Sequence, residues 1–367
     1  MPRQEIAASI LPSLPPNARI LIIRLRSIGD IVLLTPALRL LKEWRADLRL
    51  SVVVEPRFAE LLENNPDVDE VLEPGHGSGW TKVTSRVSAV REIRRREFSL
   101  CVNLHGGPTS SLLTSWSGAR WKAGFEHFRR RGIYQVLIPD ARTILNKPVI
   151  HTAEHQASAF FQLGLPRKDI PRARLFVAPA EEAAWKERRG ALGLPPERDY
   201  AVIHPTALYA TKQWAPENFS RLGAYLENQI GLPVIYSCGP GESAVLDAVE
   251  NAAATSVRRL ESPGLKQFAA ALAGARIFIG NDSGPAHMAA ALGRPGVVIF
   301  GSSSSRIWGP WPPSGAWQIV QNDYDCNPCP GDRCYRFERP ECILSITYEQ
   351  VRSAVEKVLT QVPQSSR

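Results

Sequence analysis

The sequence has no long uninterrupted apolar run, because its longest apolar stretches, LIIRL and IVLLTPAL, are bounded or broken by Arg or Pro. A membrane-spanning helix needs about 20 apolar residues, so the sequence predicts no transmembrane span. The opening segment MPRQEIAASILPSLPPN contains an acidic residue and an apolar stretch too short for a signal peptide. We therefore expect a cytoplasmic protein with a loose N-terminal lead-in at residues 1–18.

The second half of the chain lacks the positive excess of the first. Residues 1–178 contain 26 Lys+Arg and 17 Asp+Glu, a net charge of +9, whereas residues 179–367 contain 18 and 19, a net charge of −1. Such asymmetry indicates attraction to an acidic partner, although basic runs are often only solvated faces. The candidate partners are a phosphorylated glycolipid, a membrane surface and nucleic acid.

Aromatic residues make up 8% of the chain, and few of them lie near its arginine triplets. The phenylalanines near the triplets at 94–96 and 129–131 are Phe98, Phe125 and Phe128. Neither a DNA-recognition helix nor an RNA-binding aromatic motif is evident, and stacking on bases needs such aromatics. Nucleic acid therefore ranks below a phosphorylated partner, and we expect no nucleic acid among the partners.

What the chain does contain is an alternation of short strand-like runs with amphipathic helix patterns, typical of parallel sheets covered by helices. The predicted strands are 20–25, 50–54, 70–73, 100–104, 201–204, 233–237, 276–280 and 296–300. A length of 367 residues also exceeds the usual size of one hydrophobic core. These observations predict an α/β protein with two doubly wound domains facing each other across a cleft.

The segment PRKDIPRAR interrupts the helical periodicity and predicts a linker at residues 171–180. The first domain then covers 19–170 and the second 181–345, and a C-terminal helix and tail follow at 346–367. In such domains the loops at the carboxyl ends of the strands bind the ligands. We therefore expect the site residues to lie in those loops.

The first such loop, RLRSIGD at 24–30, ends in Asp30. A carboxylate at the mouth of the cleft can act as a general base. The same side chain can instead stabilise a helix N-terminus by capping or through the helix dipole. No GxGxxG follows the strand, so the fingerprint of a dinucleotide-binding domain is missing.

Three loops of the second domain carry groups suited to a phosphorylated ligand. Thr206 and Lys212 follow the strand at 201–204 and can contact a diphosphate, and Glu242 in the turn CGPGE can bond a ribose hydroxyl. The segment NDSGPAH begins a small-residue helix whose free amides favour phosphate. Its candidate residues are Asp282, Ser283, Gly284 and His287. The structural alternatives are that Lys212 is an ordinary exposed loop lysine, that Glu242 is a surface glutamate and that the segment NDSGPAH only caps a helix.

The order of these motifs resembles glycosyltransferase family 9, the heptosyltransferases of lipopolysaccharide core assembly. The matching segments are IRLRSIGDIVLLTPALRLLKEW, NPDVDEVL, IHPTALYATKQWAPENF and FIGNDSGPAHMAAALGRPGVVIFG, within about residues 19–305. The resemblance implies a glycosyltransferase B fold of two Rossmann-like domains, an ADP-heptose donor, an anionic glycolipid acceptor, inversion at the anomeric carbon and no catalytic metal. Where many relatives have a second hydroxyl after Thr206, this chain has Ala207, which leaves the donor sugar open.

By motif matching, the resemblance implies that Asp30 is the general base and that Lys212 contacts the donor diphosphate. The helix start from Asp282 to His287 then binds the donor, and Thr206 and Glu242 match less closely. The positive first domain is expected to hold the acceptor and to dock at the inner face of the inner membrane. The candidate acceptor-binding residues are Arg26, Arg94, Arg129 and Arg130.

Cysteine is rare except in one cluster, which contains four of the six cysteines of the chain: Cys326, Cys329, Cys334 and Cys342. In a cytoplasmic protein the spacing C-x2-C-x4-C-x7-C favours a metal site over disulfides. Four thiolates suit zinc, and iron is the alternative. We therefore predict a structural metal in the segment 326–342, with reduced, unligated thiols as the competing interpretation.

Three other functions remain open from the sequence. A nucleotide-sugar epimerase on the same scaffold would need a donor site but no acceptor site, which the basic first domain argues against. A protein heptosyltransferase would use the same donor with another acceptor. A non-enzymatic nucleotide-sugar-binding protein would use Asp30 only as a helix cap.

Overall fold

The structure is a computed structural model, and the chain divides into two compact units, Met1–Phe176 and Val177–Arg367. The division falls inside the segment 171–180 predicted as the linker. The described residues are 7–75, 79–195, 197–253, 256–312 and 316–361, with the side chains of 79–83 set aside.

The first unit is built on a parallel six-stranded sheet in the order β3-β2-β1-β4-β5-β6. Its strands are β1 (Arg19–Ile23), β2 (Arg49–Val53), β3 (Glu70–Leu72), β4 (Leu100–Asn103), β5 (Trp121–Phe125) and β6 (Val136–Ile138). In the centre Ile20 pairs with Leu50 on one side and Leu100 on the other. The central strands are buried on both faces, which explains their nearly continuous apolar sequence.

Helices connect these strands and cover the sheet. They are α1 (Ile28–Val32), α2 (Thr35–Trp44), α3 (Gly79–Arg95), α4 (Pro108–Trp116), α5 (Ala141–Leu145) and α6 (Thr152–Gln162), with 3-10 turns at Pro56–Leu61 and Arg131–Ile133. On α2 the buried side chains include Leu38 and Leu41, which follow the spacing of an amphipathic helix.

The lead-in is not loose, and this expectation was wrong for residues 7–14. Ile10 and Leu11 are fully buried, and the Leu11 amide donates to the Leu163 carbonyl at 2.9 Å. Gly164 has a φ of +103°, and a Cβ there would lie 2.1 Å from the Ala8 carbonyl oxygen. Glycine is therefore required at this contact, which ties the N-terminal segment to the end of α6.

The second unit repeats the architecture with the order β12-β11-β10-β7-β8-β9, again all parallel. Its strands are β7 (Ala201–His204), β8 (Val234–Cys238), β9 (Arg258–Glu261), β10 (Ile277–Asn281), β11 (Gly296–Phe300) and β12 (Trp317–Gln321). Numbered from its own first strand, each sheet has the order 3-2-1-4-5-6, which is that of the Rossmann fold. The predicted α/β class and Rossmann-like architecture are confirmed.

The helices of the second unit are α7 (Pro179–Ala191), α8 (Pro216–Tyr225), α9 (Ser243–Asn251), α10 (Leu265–Ala273), α11 (Gly284–Ala291), α12 (Ser305–Trp308), α13 (Glu341–Leu344) and α14 (Tyr348–Gln361). A 3-10 turn forms at Ala210–Lys212, and Leu226–Ile230 continues α8 as a π-helix. The C-terminal helix α14 joins the core of this unit through Val351, Val355 and Val358. The segment 346–361 is thus part of the second unit rather than an appended tail.

Candidate active site

Both sheets have a topological switch point, where the connections leave two central strands in opposite directions. It lies between β1 and β4 in the first unit and between β7 and β10 in the second. Loops diverge there at the carboxyl edge of the sheet and leave a crevice in which ligands of such folds bind. Asp30 and His105 follow the two strands of the first switch point, and Thr206, Lys212 and Asp282 follow the two strands of the second.

Asp30 lies in the first turn of α1, directly after β1. Its Oδ2 accepts hydrogen bonds from the amide of Ser27 at 3.0 Å and from the Ser27 hydroxyl at 3.1 Å. The first of these bonds is one half of a capping box, in which the Asp30 amide in turn faces the Ser27 side chain. Its Oδ1 accepts from the Arg24 guanidinium, and its main-chain carbonyl accepts from Gln156 Nε2 at 2.9 Å. The structural role as a helix cap is therefore present, together with an ion pair in which the Asp30 side chain is only 14% exposed.

The loop after β4 brings His105 to the same edge of the sheet. Asn103, fully buried, accepts from the amides of His105 at 2.9 Å and Gly106 at 3.0 Å, and its own amide donates to Thr114 and Tyr134. These four bonds fix the turn. Burial and then the positive charges of neighbouring arginines lower the pKa of His105, so its imidazole is neutral at pH 7.

A second histidine, His155 on α6, lies within electrostatic range of Arg24 and Asp30. Its ring stacks on Phe125 with centroids 4.2 Å apart. Burial first, and then the charges of Arg24 and His127, lower the pKa of His155 to about 4. The Asp30 carboxylate thus pairs with one guanidinium and lies within electrostatic range of two imidazoles whose pKa values are lowered.

The structure brings together only part of the predicted acceptor-binding set. Arg26 directly follows β1, and Arg129 and Arg130 follow β5, so these three exposed side chains belong to loops at the carboxyl edge of the first sheet. Arg94 lies in the last turn of α3, which leads into the amino end of β4. Arg94 is therefore at the opposite edge of the sheet from Asp30, because α3 returns the chain to the start of a strand.

In the second unit, Thr206 and Glu242 form one buried network. The Thr206 hydroxyl donates to Glu242 Oε2 at 2.6 Å, so its oxygen is left to accept from His204 Nε2 at 2.8 Å. His204 Nδ1 then accepts from the Ser237 hydroxyl at 3.0 Å. Burial lowers the pKa of His204 to about 4 against the opposing charge of Glu242, which keeps this imidazole neutral at pH 7.

Lys212 pairs with Asp282, a contact between two loops that are 70 residues apart in the sequence. The Nζ to Oδ2 distance is 2.7 Å, and the side chain of Asp282 is only 5% exposed while that of Lys212 is 22% exposed. The Ser303 hydroxyl donates to the same carboxylate oxygen. Asp282 therefore positions the ammonium group, which retains donors for another anion because a lysine carries three N–H bonds.

The helix start after β10 lacks the side-chain cap that was the structural alternative to donor binding. Ser283 is the N-cap residue of α11, but its hydroxyl donates to the Asn281 carbonyl at 3.2 Å rather than accepting from a helix amide. Gly284 opens the helix, and His287 is buried one turn later. Asn281 also accepts from the Trp214 amide at 3.1 Å, which links β10 to the loop that carries Lys212.

The four clustered cysteines line one cavity of about 210 Å³ in the second unit. Cys342 is buried at the start of α13 and the other three are half-buried, all as free thiols. Burial, and then the charges of the three neighbouring thiols, raise the pKa of Cys342 to about 11. Across the described residues, no set of three or more His, Cys, Asp or Glu side chains already has the arrangement of a metal site.

Sequence reasoning missed Arg24, His105, His155 and Gln156. Arg24 and His105 each follow a central strand within two residues, so the rule that ligands bind at carboxyl ends of strands would have found them. His155 and Gln156 lie on α6, and their proximity to Asp30 depends on how that helix packs. Lys212 was identified from the sequence, but its pairing with Asp282 was not.

The profile of glycosyltransferase family 9 (heptosyltransferase) matches residues 86–336. Lipopolysaccharide heptosyltransferase 3 of Escherichia coli K12 is 26% identical over 344 residues, which cover 91% of this chain and 96% of that protein. Within the described residues, no helix has the length and apolarity needed to cross a membrane.

Two solved structures show the same fold. The crystal structure of a family 9 glycosyl transferase from Veillonella parvula has a TM-score of 0.82 at 21% identity, covering 95% of this chain and 98% of that one. The ADP-heptose lps heptosyltransferase II of E. coli has a TM-score of 0.77 at 19% identity, covering 94% of this chain and 99% of that one. The likeness therefore extends over both units.

Proposed function

This chain belongs to glycosyltransferase family 9, and from that premise we propose that it transfers a heptose from ADP-heptose to an anionic acceptor in the lipopolysaccharide core. Support comes from the relatives, which are lipopolysaccharide heptosyltransferases, one of them named for ADP-heptose. The observation that carries the proposal is that each unit holds one reactive charge at its switch point. These charges are the Asp30 carboxylate and the Lys212 ammonium.

The second unit binds the donor in this proposal. Lys212 and the first amides of α11 supply positive charge for the diphosphate, and the partner Asp282 keeps the ammonium in place before the donor arrives. Glu242, held by Thr206 and the Gly239 amide, accepts from the ribose hydroxyls. Because the leaving diphosphate gains charge as the glycosidic bond breaks, these groups stabilise the transition state more than the bound donor.

The first unit supplies the base and binds the acceptor. As the anomeric carbon develops oxocarbenium character, the acceptor hydroxyl attacks from the face opposite the diphosphate, which inverts the configuration. Asp30 accepts the hydroxyl proton at that stage, when the hydroxyl has become acidic. The ion pair with Arg24 fixes the carboxylate, and no catalytic metal is required because lysine and the helix amides already provide positive charge.

The positive first unit suits an acceptor that carries phosphate and lies at a membrane surface. Arg26, Arg129 and Arg130 are exposed at the edge that carries Asp30, so they are the side chains we assign to the acceptor. We propose that the enzyme works as a peripheral protein at the cytoplasmic face of the inner membrane. Arg94 is not part of this set.

The family match disfavours the epimerase and the non-enzymatic binding protein. Transfer to a protein acceptor would use the same donor, so an experiment must distinguish it from transfer to a glycolipid. The enzyme should be incubated with ADP-heptose and a core glycolipid that lacks its outer sugars, and the products should be analysed by mass spectrometry. A heptosylated glycolipid supports the proposal, whereas an epimerised nucleotide sugar, heptose on protein alone, or bound donor without turnover would each overturn it.

A further inference from the structure

The cysteine segment contacts the donor-binding loop of the second unit. Residues 322–340 form no helix or strand, yet they are anchored at three points. The Cys329 amide donates to the Ser302 carbonyl at 3.1 Å, and the Asn327 side chain donates to the Gly301 carbonyl at 2.8 Å. Thr211 directly precedes Lys212, and its hydroxyl donates to the Gly331 carbonyl.

The 301–303 loop packs closely against the loop that carries Lys212. A Cβ on Gly301 would lie 2.2 Å from the Thr211 carbonyl oxygen and 2.9 Å from Ile343 Cβ. The Ser302 amide and hydroxyl bond to Thr211 at 3.3 and 3.0 Å, and the neighbouring Ser303 bonds to Asp282. The cysteine segment, the 301–303 loop and the loop of Lys212 are therefore packed as one group.

The cavity beside this group has the donor set of a soft metal. Four sulfur atoms line it together with Phe337 and Pro340, and the amide of Phe337 donates to Cys334 Sγ at 3.4 Å. An amide bond to sulfur stabilises the charge of a thiolate that ligates a metal. Since the cysteines surround the cavity without already meeting at one point, binding requires the half-buried part of the segment to close on the ion.

We propose that Cys326, Cys329, Cys334 and Cys342 bind one zinc or iron ion, and that closure of the segment on this ion holds the Lys212 loop in its donor-binding position. Four thiolates favour these metals over hard cations such as magnesium. The site is structural, and it acts on the reaction only through Thr211 and the 301–303 loop. This second part rests on the donor role proposed for Lys212.

The first test is the metal content of the full chain, purified without a metal-chelating resin. Elemental analysis should find about one zinc or iron per chain, and the double variant C326S/C329S should lose it at least tenfold. The matched control is C101A, which removes a buried cysteine of the other unit and should retain the metal. Trace metal in the parent protein, or equal metal in C326S/C329S, would overturn the site.

The second test measures the link to the Lys212 loop by amide hydrogen exchange. Chelator-treated full chain is titrated with Zn²⁺ or Fe²⁺, and exchange should slow about tenfold or more in both 326–342 and 209–213. The variant T211V should bind the metal normally and show less slowing in 209–213 than the parent, because it lacks the hydroxyl that reaches Gly331 but keeps the contacts through the 301–303 loop.

The same samples then separate this inference from the proposed function. ADP-heptose should bind the metal-loaded parent at least threefold more tightly than the metal-free parent, and this difference should be smaller in T211V. Slowing confined to 326–342 in the parent would overturn the link. If ADP-heptose binds neither form while exchange responds as expected, the donor assignment fails and the metal site stands.

Discussion

The two units have the same strand order but hold opposite charges at their switch points. In the first, the carboxylate of Asp30 is the reactive group and the guanidinium of Arg24 supports it. In the second, the ammonium of Lys212 is the reactive group and the carboxylate of Asp282 supports it. The same strand order is thus used twice with the charges of the reactive and supporting groups exchanged, and the net positive charge of the first half suits the anionic acceptor that it is proposed to bind.

In both units the supporting partner matters as much as the reactive group. Both ion pairs are mostly shielded from water, where removal of one partner leaves the other charge poorly compensated. A carboxylate that is already oriented needs no reorganisation when the acceptor hydroxyl ionises, and the same holds for an oriented ammonium and the diphosphate.

The largest effect is expected from D30N. The amide retains the size and can still accept from Ser27, but it is not a useful base, so turnover should fall about 10² to 10⁴-fold while donor affinity persists. Single-turnover transfer beside calorimetry of ADP-heptose binding measures both. D47N, which removes another ion-paired aspartate that precedes β2 at the other edge of the sheet, is the control and should transfer normally. Transfer by D30N at the parent rate would falsify the general-base assignment.

In the second unit, K212A should lower both donor affinity and turnover, because the lost charge contacts the bound diphosphate as well as the leaving one. We expect turnover to fall about 10² to 10³-fold. K212R should restore only part of this, since a planar fork replaces a compact ammonium. K186A, on the exposed face of α7, serves as the matched control. Unchanged donor affinity in K212A would show that the lysine does not contact the donor.

Acid should destabilise both units to a similar extent, because each contains a buried neutral histidine. The pKa values of His155 and His204 are lowered to about 4 in the folded state, from 6.5. The unfolded chain then binds more protons between these values, so stability present above pH 6.5 is lost as the pH falls towards 4. The loss should be about 2 to 3 kcal/mol for each histidine.

Urea unfolding of the parent protein, H155F and H204Q at pH 7 and pH 4.5 checks this expectation. Each variant should lose less stability on acidification than the parent. A parent protein whose free energy of unfolding is the same at both pH values would contradict the buried, neutral state of these two rings.

The smallest effect concerns the membrane surface. The double variant R129A/R130A should bind anionic vesicles about tenfold to thirtyfold more weakly, at about 1 kcal/mol for each arginine near the surface. R94A/R95A removes two exposed arginines at the opposite edge of the first sheet and should bind like the parent protein. Sedimentation with phosphatidylserine vesicles, repeated above the salt concentration at which the Debye length is about 10 Å, measures the difference. Binding that is insensitive to salt would contradict the electrostatic account.

Sequence patterns predicted the interior strands well, because β1, β7 and β11 are apolar on both faces. Four strands were missed: β5, β6, β9 and β12. Three of them lie at sheet edges, where partial exposure permits polar residues such as those of RRLE in β9 and WQIVQ in β12. Strand β5, WKAGF, is interior but half of it is only partly buried, which weakens its apolar signal.

The same limit applies to the candidate sites. Asp30, Lys212 and Asp282 stand in motifs that follow strands, so local sequence was enough to find them. Their long-range partners were not predictable from local sequence, since Gln156 is 126 residues from Asp30 and Asp282 is 70 residues from Lys212. Such pairs depend on strand order and helix packing, which a single sequence specifies only through the complete fold.

The chain crosses from the first unit to the second once, between Phe176 and Val177. The residues before this point belong to the first unit, and those after it belong to the second. Genetic exchange at this one junction would therefore replace a whole sheet with its loops and interrupt neither core. A chimera joined there to the second unit of another family 9 enzyme should take its nucleotide-sugar preference from that unit and its acceptor preference from residues before 177. The junction offers a practical way to assign each specificity to its own half of the enzyme.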